Sequence, residues 1–261
     1  MAHIKLEKLN NVRDLGGILT CDGKRIKERR LIRSETLYKA SQKDIQKLRD
    51  EYQLKTVVDF RTTIEAEQKP DPQIDGVKNI FNPIIKESVM GITREKSRLI
   101  DVPKRYVGMD GDPIEYMRDM YKEIAFGDLA KKNYANFFNI LLNQEDGAVL
   151  WHCSAGKDRV GIGTVLLLSA LNVSRETIIQ DYLMTSYYFK DENKKLGLLL
   201  KIGVRDKKVR SYVLALMDVK REYIMAVFDE IDKQGGMDKF LSDVMCLTDE
   251  KREKLRKMYL E

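Results

Sequence analysis

The sequence predicts an α/β protein, a three-layer sandwich with a mostly parallel central sheet. Three observations predict it. Two β-branched or apolar runs, "KTVVDF" (55–60) and "GAVLWH" (147–152), read as interior strands. Helical patterning fills much of the chain between them and nearly all of it afterwards. Strands alternating with helices early, then helices late, give a sheet with helical layers against it.

The elements follow in order. "ILTCDGKRIK" has the form of a hairpin, because Asp22-Gly23 suits a tight turn with positive φ. "RLIRS" (30–34) adds a short strand. "SQKDIQKLRDEY" opens a helix with a capping box, Ser41 and Asp44 three residues on. After the strand 55–60 comes a loop-rich region, "NPIIKESVMGITREKSRLIDVPKRYVGMDGDP", and then helices over about 114–126 and 129–143. Beyond the strand 147–152 the chain reads as helix, with breaks at "DENKKLG", "KIGVRDK", "KQGG" and "CLTDE". No repeat and no Pro/Gly/Ser linker interrupts it, so residues 1–261 are expected to form one domain.

Composition bounds the function. With 43% hydrophobic and 34% charged residues in 261, the chain is an ordinary globular one and not a disordered one. The net charge of +6 suits an anionic partner, or simply a lysine-rich solvated surface. Cys21, Cys153 and Cys246 are odd in number and far apart, which argues against a disulfide framework. His3 and His152 cannot supply a usual zinc site. The start lacks the apolar stretch of a signal peptide, so the expected location is cytoplasmic, or secreted if such a signal was removed earlier. The longest apolar run, "VGIGTVLLLSALNV", is too short for a bilayer and reads as a buried helix, so no transmembrane segment is expected.

The chemistry lies in "HCSAGKDRVG" (152–161), where Cys153 and Arg159 are separated by five residues. A strand before and an apolar helix after force Ser154, Ala155, Gly156, Lys157 and Asp158 into a tight loop. Such a loop aims successive N–H groups into a concavity and adds the positive end of the helix that begins near Val160. A tetrahedral oxyanion fits there. Gly156 lets the backbone approach, and Gly161 is expected to let the first helical turn pack on the sheet. The same field favours a thiolate on Cys153, a nucleophile at neutral pH. Arg159 can offer two parallel donors to two phosphate oxygens. His152 is expected to fix the loop through backbone groups.

This loop resembles the HCxxGKDRTG loop of the atypical bacterial protein tyrosine/serine phosphatases, some of which also act on phosphoinositides. Further boxes carry the resemblance: "NVRDLGGI" (11–18), "LIRSETL" (31–37), "VVDFRTTIE" (57–65) and "IIQDYLMTS" (178–186). It implies a protein-tyrosine-phosphatase-like fold with extra helices after the loop. It implies that Cys153 carries a phosphocysteine, that Arg159 grips phosphate, and that Lys157 adds charge toward a multiply phosphorylated headgroup. The alternative for Lys157 is a solvated side chain at the loop rim.

The family has Thr or Ser where this chain has Val160, so the hydroxyl that assists hydrolysis of the intermediate is missing. For the general acid, Asp158 and Asp59 both stand. The resemblance favours Asp158, while the apolar neighbours Val58 and Phe60 would favour a protonated Asp59. Ligands gather at the carboxyl ends of strands, which would bring Asp59 and Arg61 beside the loop. Asp101, Asp110 and Asp112 are the reserve. Arg13 and Asp14 are expected to form a structural charged pair. Residues 190–215, basic and leucine-rich, are expected to form a helical lid, with an ordinary amphipathic hairpin as the alternative.

The expected function is a cysteine-dependent phosphatase for phosphotyrosine, and for phosphoinositides or phosphoserine/threonine, with no metal or organic cofactor. Its partners are then a phosphorylated protein or phosphoinositide, and a phosphate or sulfate ion in the loop, but not nucleic acid. The rivals are a phosphate-binding pseudophosphatase, motivated by Val160, and redox chemistry at the same loop. The second would want a resolving cysteine nearer than Cys21 or Cys246.

Overall fold

Val149 and Trp151 point to one side of their strand and Ala148 and Leu150 to the other, and two cores grow from that alternation. The computed structural model describes residues 2–86 and 111–261. Its strands are β1 (Ala2–His3), β2 (Arg13–Asp14), β3 (Leu31–Ser34), β4 (Leu54–Asp59), β5 (Lys78–Phe81) and β6 (Ala148–His152). They lie in the order β1-β2-β3-β6-β4-β5, so the fully buried β6 sits between β3 and β4 and runs parallel to both. β5 continues the parallel run, and only the two-residue strands β1 and β2 are antiparallel. The expectation of a mostly parallel sheet holds.

On one face, Ile32, Val57 and Leu150 pack with Ile45 and Leu48 of α1 (Gln42–Asp50), whose Ser41/Asp44 capping box forms as read from sequence. The other face carries the larger core. There Leu31, Val58, Val149 and Trp151 meet α3 (Pro113–Phe126), α4 (Asp128–Leu142) and α5 (Asp158–Ala170). In α5 every residue except Ser169 is buried, which is why its sequence is apolar all round. The same core takes in α6 (Arg175–Tyr188), α7 (Lys190–Gly203), α8 (Lys207–Met217), α9 (Arg221–Lys233) and α10 (Asp249–Tyr259). The short helix α2 (Thr63–Gln68) follows β4 and has its own capping box, Thr62 with Glu65.

Two expectations are corrected. "DENKKLG" is not a break but the first half of α7, because Leu196 and Leu200, four residues apart, give it an inward stripe. The Asp22-Gly23 turn forms, with Gly23 at φ +83°, but its arms make only a single bridge, Leu19 with Arg25, and no strands. Residues 87–110, including Asp101 and Asp110, lie outside the described residues. Asp112 caps α3, accepting from the Ile114 N–H. Among the described residues no helix is long and apolar enough to cross a membrane.

Candidate active site

The carboxyl ends of β3, β4 and β6 come level at Ser34, Asp59 and His152, and the loop that leaves β6 rises over them. Its carbonyls are held from outside. The Ser154 carbonyl accepts from the Thr36 N–H at 3.5 Å, and the Ala155 carbonyl from Asn11 Nδ2 at 2.9 Å. The Gly156 carbonyl accepts from Asn11 Nδ2 at 3.1 Å and from Arg33 Nη2 at 3.0 Å. Fixing three successive carbonyls outward turns the peptide N–H groups inward, over the buried Cys153. Gly156 has φ +64°, and a Cβ there would lie 2.5 Å from the Ser34 carbonyl oxygen, so only glycine fits.

The outer brace has its own buried support. Asp181 of α6 accepts from Arg13 Nε at 3.1 Å and forms a short ion pair with Arg33. Arg13 also reaches Asn11 Oδ1, so the N-terminal segment, β3 and α6 meet behind the loop. Burial alone would raise the Asp181 carboxyl, but Arg33 and Arg13 outweigh it and hold it below the usual carboxylate range. Burial and the like charge of Arg33 bring Arg13 down to about 10, against the pull of Asp181. The expected Arg13–Asp14 pair does not form. Asp14 instead accepts the backbone N–H groups of Gly16 and Arg29 at 2.9 and 2.8 Å.

Inside the loop, Arg159 is gripped by Glu65, with Nη1 at 2.6 Å from Oε2 and Nη2 at 3.1 Å from Oε1. Burial would lower the Arg159 guanidinium, but Glu65 and Cys153 more than reverse this and raise it. Glu65 also accepts from Ser154 Oγ and from the Thr62 N–H. Glu65 belongs to the "VVDFRTTIE" box, and the sequence by itself gives it no role. Its signal was the Thr62/Glu65 capping-box spacing at a strand end, which fixes the carboxylate at the start of α2.

The remaining loop residues are placed as follows. Lys157 is buried and not at a solvated rim; its Nζ donates to the Leu216 and Asp218 carbonyls where α8 ends, and lies 3.4 Å from Asp158 Oδ1. Asp158 is buried at the first position of α5 and accepts from Tyr121 Oη at 2.6 Å, which in turn accepts from Tyr182 Oη at 2.6 Å. Val160 is fully buried. Gly161 packs on the Tyr182 ring of α6 and not on the sheet, since a Cβ there would sit 3.1 Å from that ring.

Below the loop lies a second ionic cluster. Arg61 donates through Nε to both Asp59 oxygens at 2.9 and 3.0 Å, and through Nη2 to Asp59 and Asp71 at 2.7 Å each. His152 Nε2 lies 3.0 Å from Asp71, while Nδ1 is 3.3 Å from the Cys153 carbonyl, the backbone contact expected of it. Burial opposes a charge on His152, but Asp59 and Asp71 prevail and raise it above its ordinary value. Asp59, Asp71 and His152 could by position hold a metal ion, yet the Arg61 guanidinium already bridges both carboxylates and supplies the cation.

A family model described as "Tyrosine phosphatase family" matches residues 4–261. A Cupriavidus necator protein named "Putative tyrosine-protein phosphatase" is 28% identical over 249 residues, covering 93% of this chain and 84% of its own. The "Triple specificity protein phosphatase PtpB" of Mycobacterium tuberculosis is 25% identical over 129 residues, 46% of each chain. Among solved structures, the Siw14 catalytic core aligns at a TM-score of 0.37 and 12% identity, covering 89% of this chain and 98% of that one.

Proposed function

Because the chain belongs to the tyrosine phosphatase family, we propose that it hydrolyses phosphotyrosine, and phosphoinositides or phosphoserine/threonine besides, through a phosphocysteine on Cys153. The single observation that carries this is the loop whose carbonyls at 154, 155 and 156 are held outward by Thr36, Asn11 and Arg33. A cradle of inward N–H groups at a helix start, with a thiol at its floor, is a site for a tetrahedral dianion under nucleophilic attack.

In this reading the Cys153 thiolate attacks phosphorus and the bond to the leaving oxygen breaks. The loop N–H groups and Arg159, aligned by Glu65, hold the non-bridging oxygens. Asp158 is our choice for the acid that protonates the leaving oxygen. Asp59 is less suited, because three hydrogen bonds from the Arg61 side chain already occupy both of its carboxyl oxygens. Water then attacks the phosphocysteine, Asp158 takes its proton, and the thiolate and inorganic phosphate separate. No step calls for a metal or cofactor.

We take residues 1–261 as one domain, since both cores share one sheet. The 190–215 region is read as a fixed wall beside the loop more than a swinging lid. Leu200, Val209, Tyr212 and Val213 anchor it in the core, and Lys157 ties the loop to the end of α8.

The test is turnover of phosphotyrosine peptides, phosphoserine peptides and phosphoinositides with chelator present. Cys153→Ser should abolish turnover and keep phosphate binding. Asp158→Asn should slow alkyl phosphates far more than activated aryl phosphates, whereas Asp59→Asn should not discriminate. Undiminished turnover by Cys153→Ser would end this reading, and a leaving-group effect seen only in Asp59→Asn would reverse the choice of acid.

A further inference from the structure

We propose that the outer face of α7 docks the protein onto an anionic lipid bilayer. Leu196 and Leu200 turn inward and satisfy the core, yet α7 carries a second apolar row that no core residue covers. Leu198, Leu199 and Ile202 are 62%, 64% and 78% exposed, a concentration of large apolar surface found nowhere else among the described helices. Lys194, Lys195 and Lys201 are exposed on the same helix, three and four residues from those side chains, and none of them belongs to an ion pair among the described residues. A cleft of about 770 Å³ between α7 and α8 is lined by these three lysines together with Leu198 and Leu214, and Asp191 is its one acid.

Apolar side chains ringed by lysines match the depth profile of a bilayer surface. The leucines and isoleucine enter the acyl boundary, and the lysine stems lie along it with their ammonium groups at the lipid phosphates. Charge decides the occupant. A protein interface core is poor in lysine, and a two-fold contact with a second copy would set the three lysines of each chain against those of the other. Anionic headgroups complement them. Docking here also lies next to the catalytic apparatus: Asn10 Nδ2 donates to Glu192 of α7 at 2.8 Å, and the adjacent Asn11 holds the loop carbonyls. The inference does not rest on which phosphate ester the loop hydrolyses.

The experiment is flotation of the full chain with vesicles of phosphatidylcholine alone and of phosphatidylcholine with phosphatidylserine, beside turnover of a soluble aryl phosphate. Binding is expected only to the phosphatidylserine vesicles and should fall with added salt. Each lysine among 194, 195 and 201 changed to Gln should weaken it about fivefold. Leu198→Gln, Leu199→Gln and Ile202→Gln together should abolish it, with soluble turnover unchanged. Absence of binding to the phosphatidylserine vesicles, or equal binding by the triple Gln variant, would overturn the proposal. So would a dimer in sedimentation equilibrium that the triple variant dissolves, because a second copy would then cover this face.

Discussion

Asp181 is the residue on which the outer brace of the loop should stand or fall. It is fully buried in α6, and its carboxylate is the counter-charge of two buried guanidinium groups, Arg13 and Arg33. Asp181→Asn keeps the shape and removes the charge, leaving two like charges facing each other out of reach of water. Removing one partner of a buried ion pair costs about 3–5 kcal/mol. At roughly 2–4 °C per kcal/mol for a chain of this size, that is a fall in Tm on the order of 6–20 °C.

Urea unfolding at pH 7 would measure it, on the wild type, on Asp181→Asn, on Arg33→Met and on the double variant. The double variant should be less destabilised than the sum of the two singles, because it removes the surplus charge together with its partner. The pH dependence has a definite sign. The folded Asp181 carboxyl is held below its unfolded value, so its contribution is complete above the ordinary carboxylate range near ~4 and is lost only as pH falls through the depressed value. The gap between wild type and variant should therefore be constant at neutral pH and close only in acid. A gap below about 1 kcal/mol at pH 7, the size of a surface substitution, would refute the brace. So would a gap that closes near neutrality.

Three further outcomes follow from the loop itself. Gly156→Ala should lower kcat/KM by about 10²-fold or more, since the added Cβ meets the Ser34 carbonyl and shifts the cradle by the order of an ångström; steady-state kinetics showing near wild-type turnover would count against the tight approach. Lys157→Ala leaves two carbonyls at the end of α8 without their donor, at a cost of about 1–3 kcal/mol, and should reduce aryl phosphate and phosphoinositide turnover equally. A loss confined to phosphoinositides would mean that the ammonium leaves those carbonyls for substrate. Val160→Thr should raise the steady-state rate and remove a burst of phenol release in stopped flow, and the absence of both changes would show that hydrolysis of the intermediate is not limiting.

The strands β3, β4 and β6, the helix α1 and the loop were legible because each is local. The β-branched run at 55–60 and the capping box at Ser41 are complete within a few residues. The resemblance boxes were also visible, but what they do was not. Asn11, Arg33 and Asp181 are 144, 123 and 148 residues from the groups they hold, counted as Asn11 to Ala155, Arg33 to Gly156 and Arg33 to Asp181. No spacing rule connects such positions. The burial of Lys157 was hidden for the same reason: its partners lie 59 and 61 residues on, where α8 ends. Glu65 was nearer to hand, since the capping box that orients it is local even though Arg159 is not. In α7 the local signal misled. A leucine run with two faces blurs the period by which one face is found.

The net charge of +6 suits an anionic partner or simply a lysine-rich solvated surface, and the described charges at the site itself are close to balanced. Among the described residues, six cationic groups stand around the loop: Arg13, Arg33, Arg61, His152 when protonated, Lys157 and Arg159. Facing them are five carboxylates, Asp59, Glu65, Asp71, Asp158 and Asp181. In the proposed reaction the Cys153 thiolate adds one negative charge and the proton on Asp158 removes one, so this described assembly carries about one positive charge in excess. In the proposed reaction a phosphate dianion entering it is held less by this small surplus than by direction: three peptide groups turned inward, the start of α5, and one guanidinium fixed by Glu65. That arrangement needs no reorganisation when charge develops on the phosphoryl oxygens. It also explains why the chain commits so many buried ion pairs to groups that never touch the anion. Each pair fixes one orientation, and the orientations together make the field.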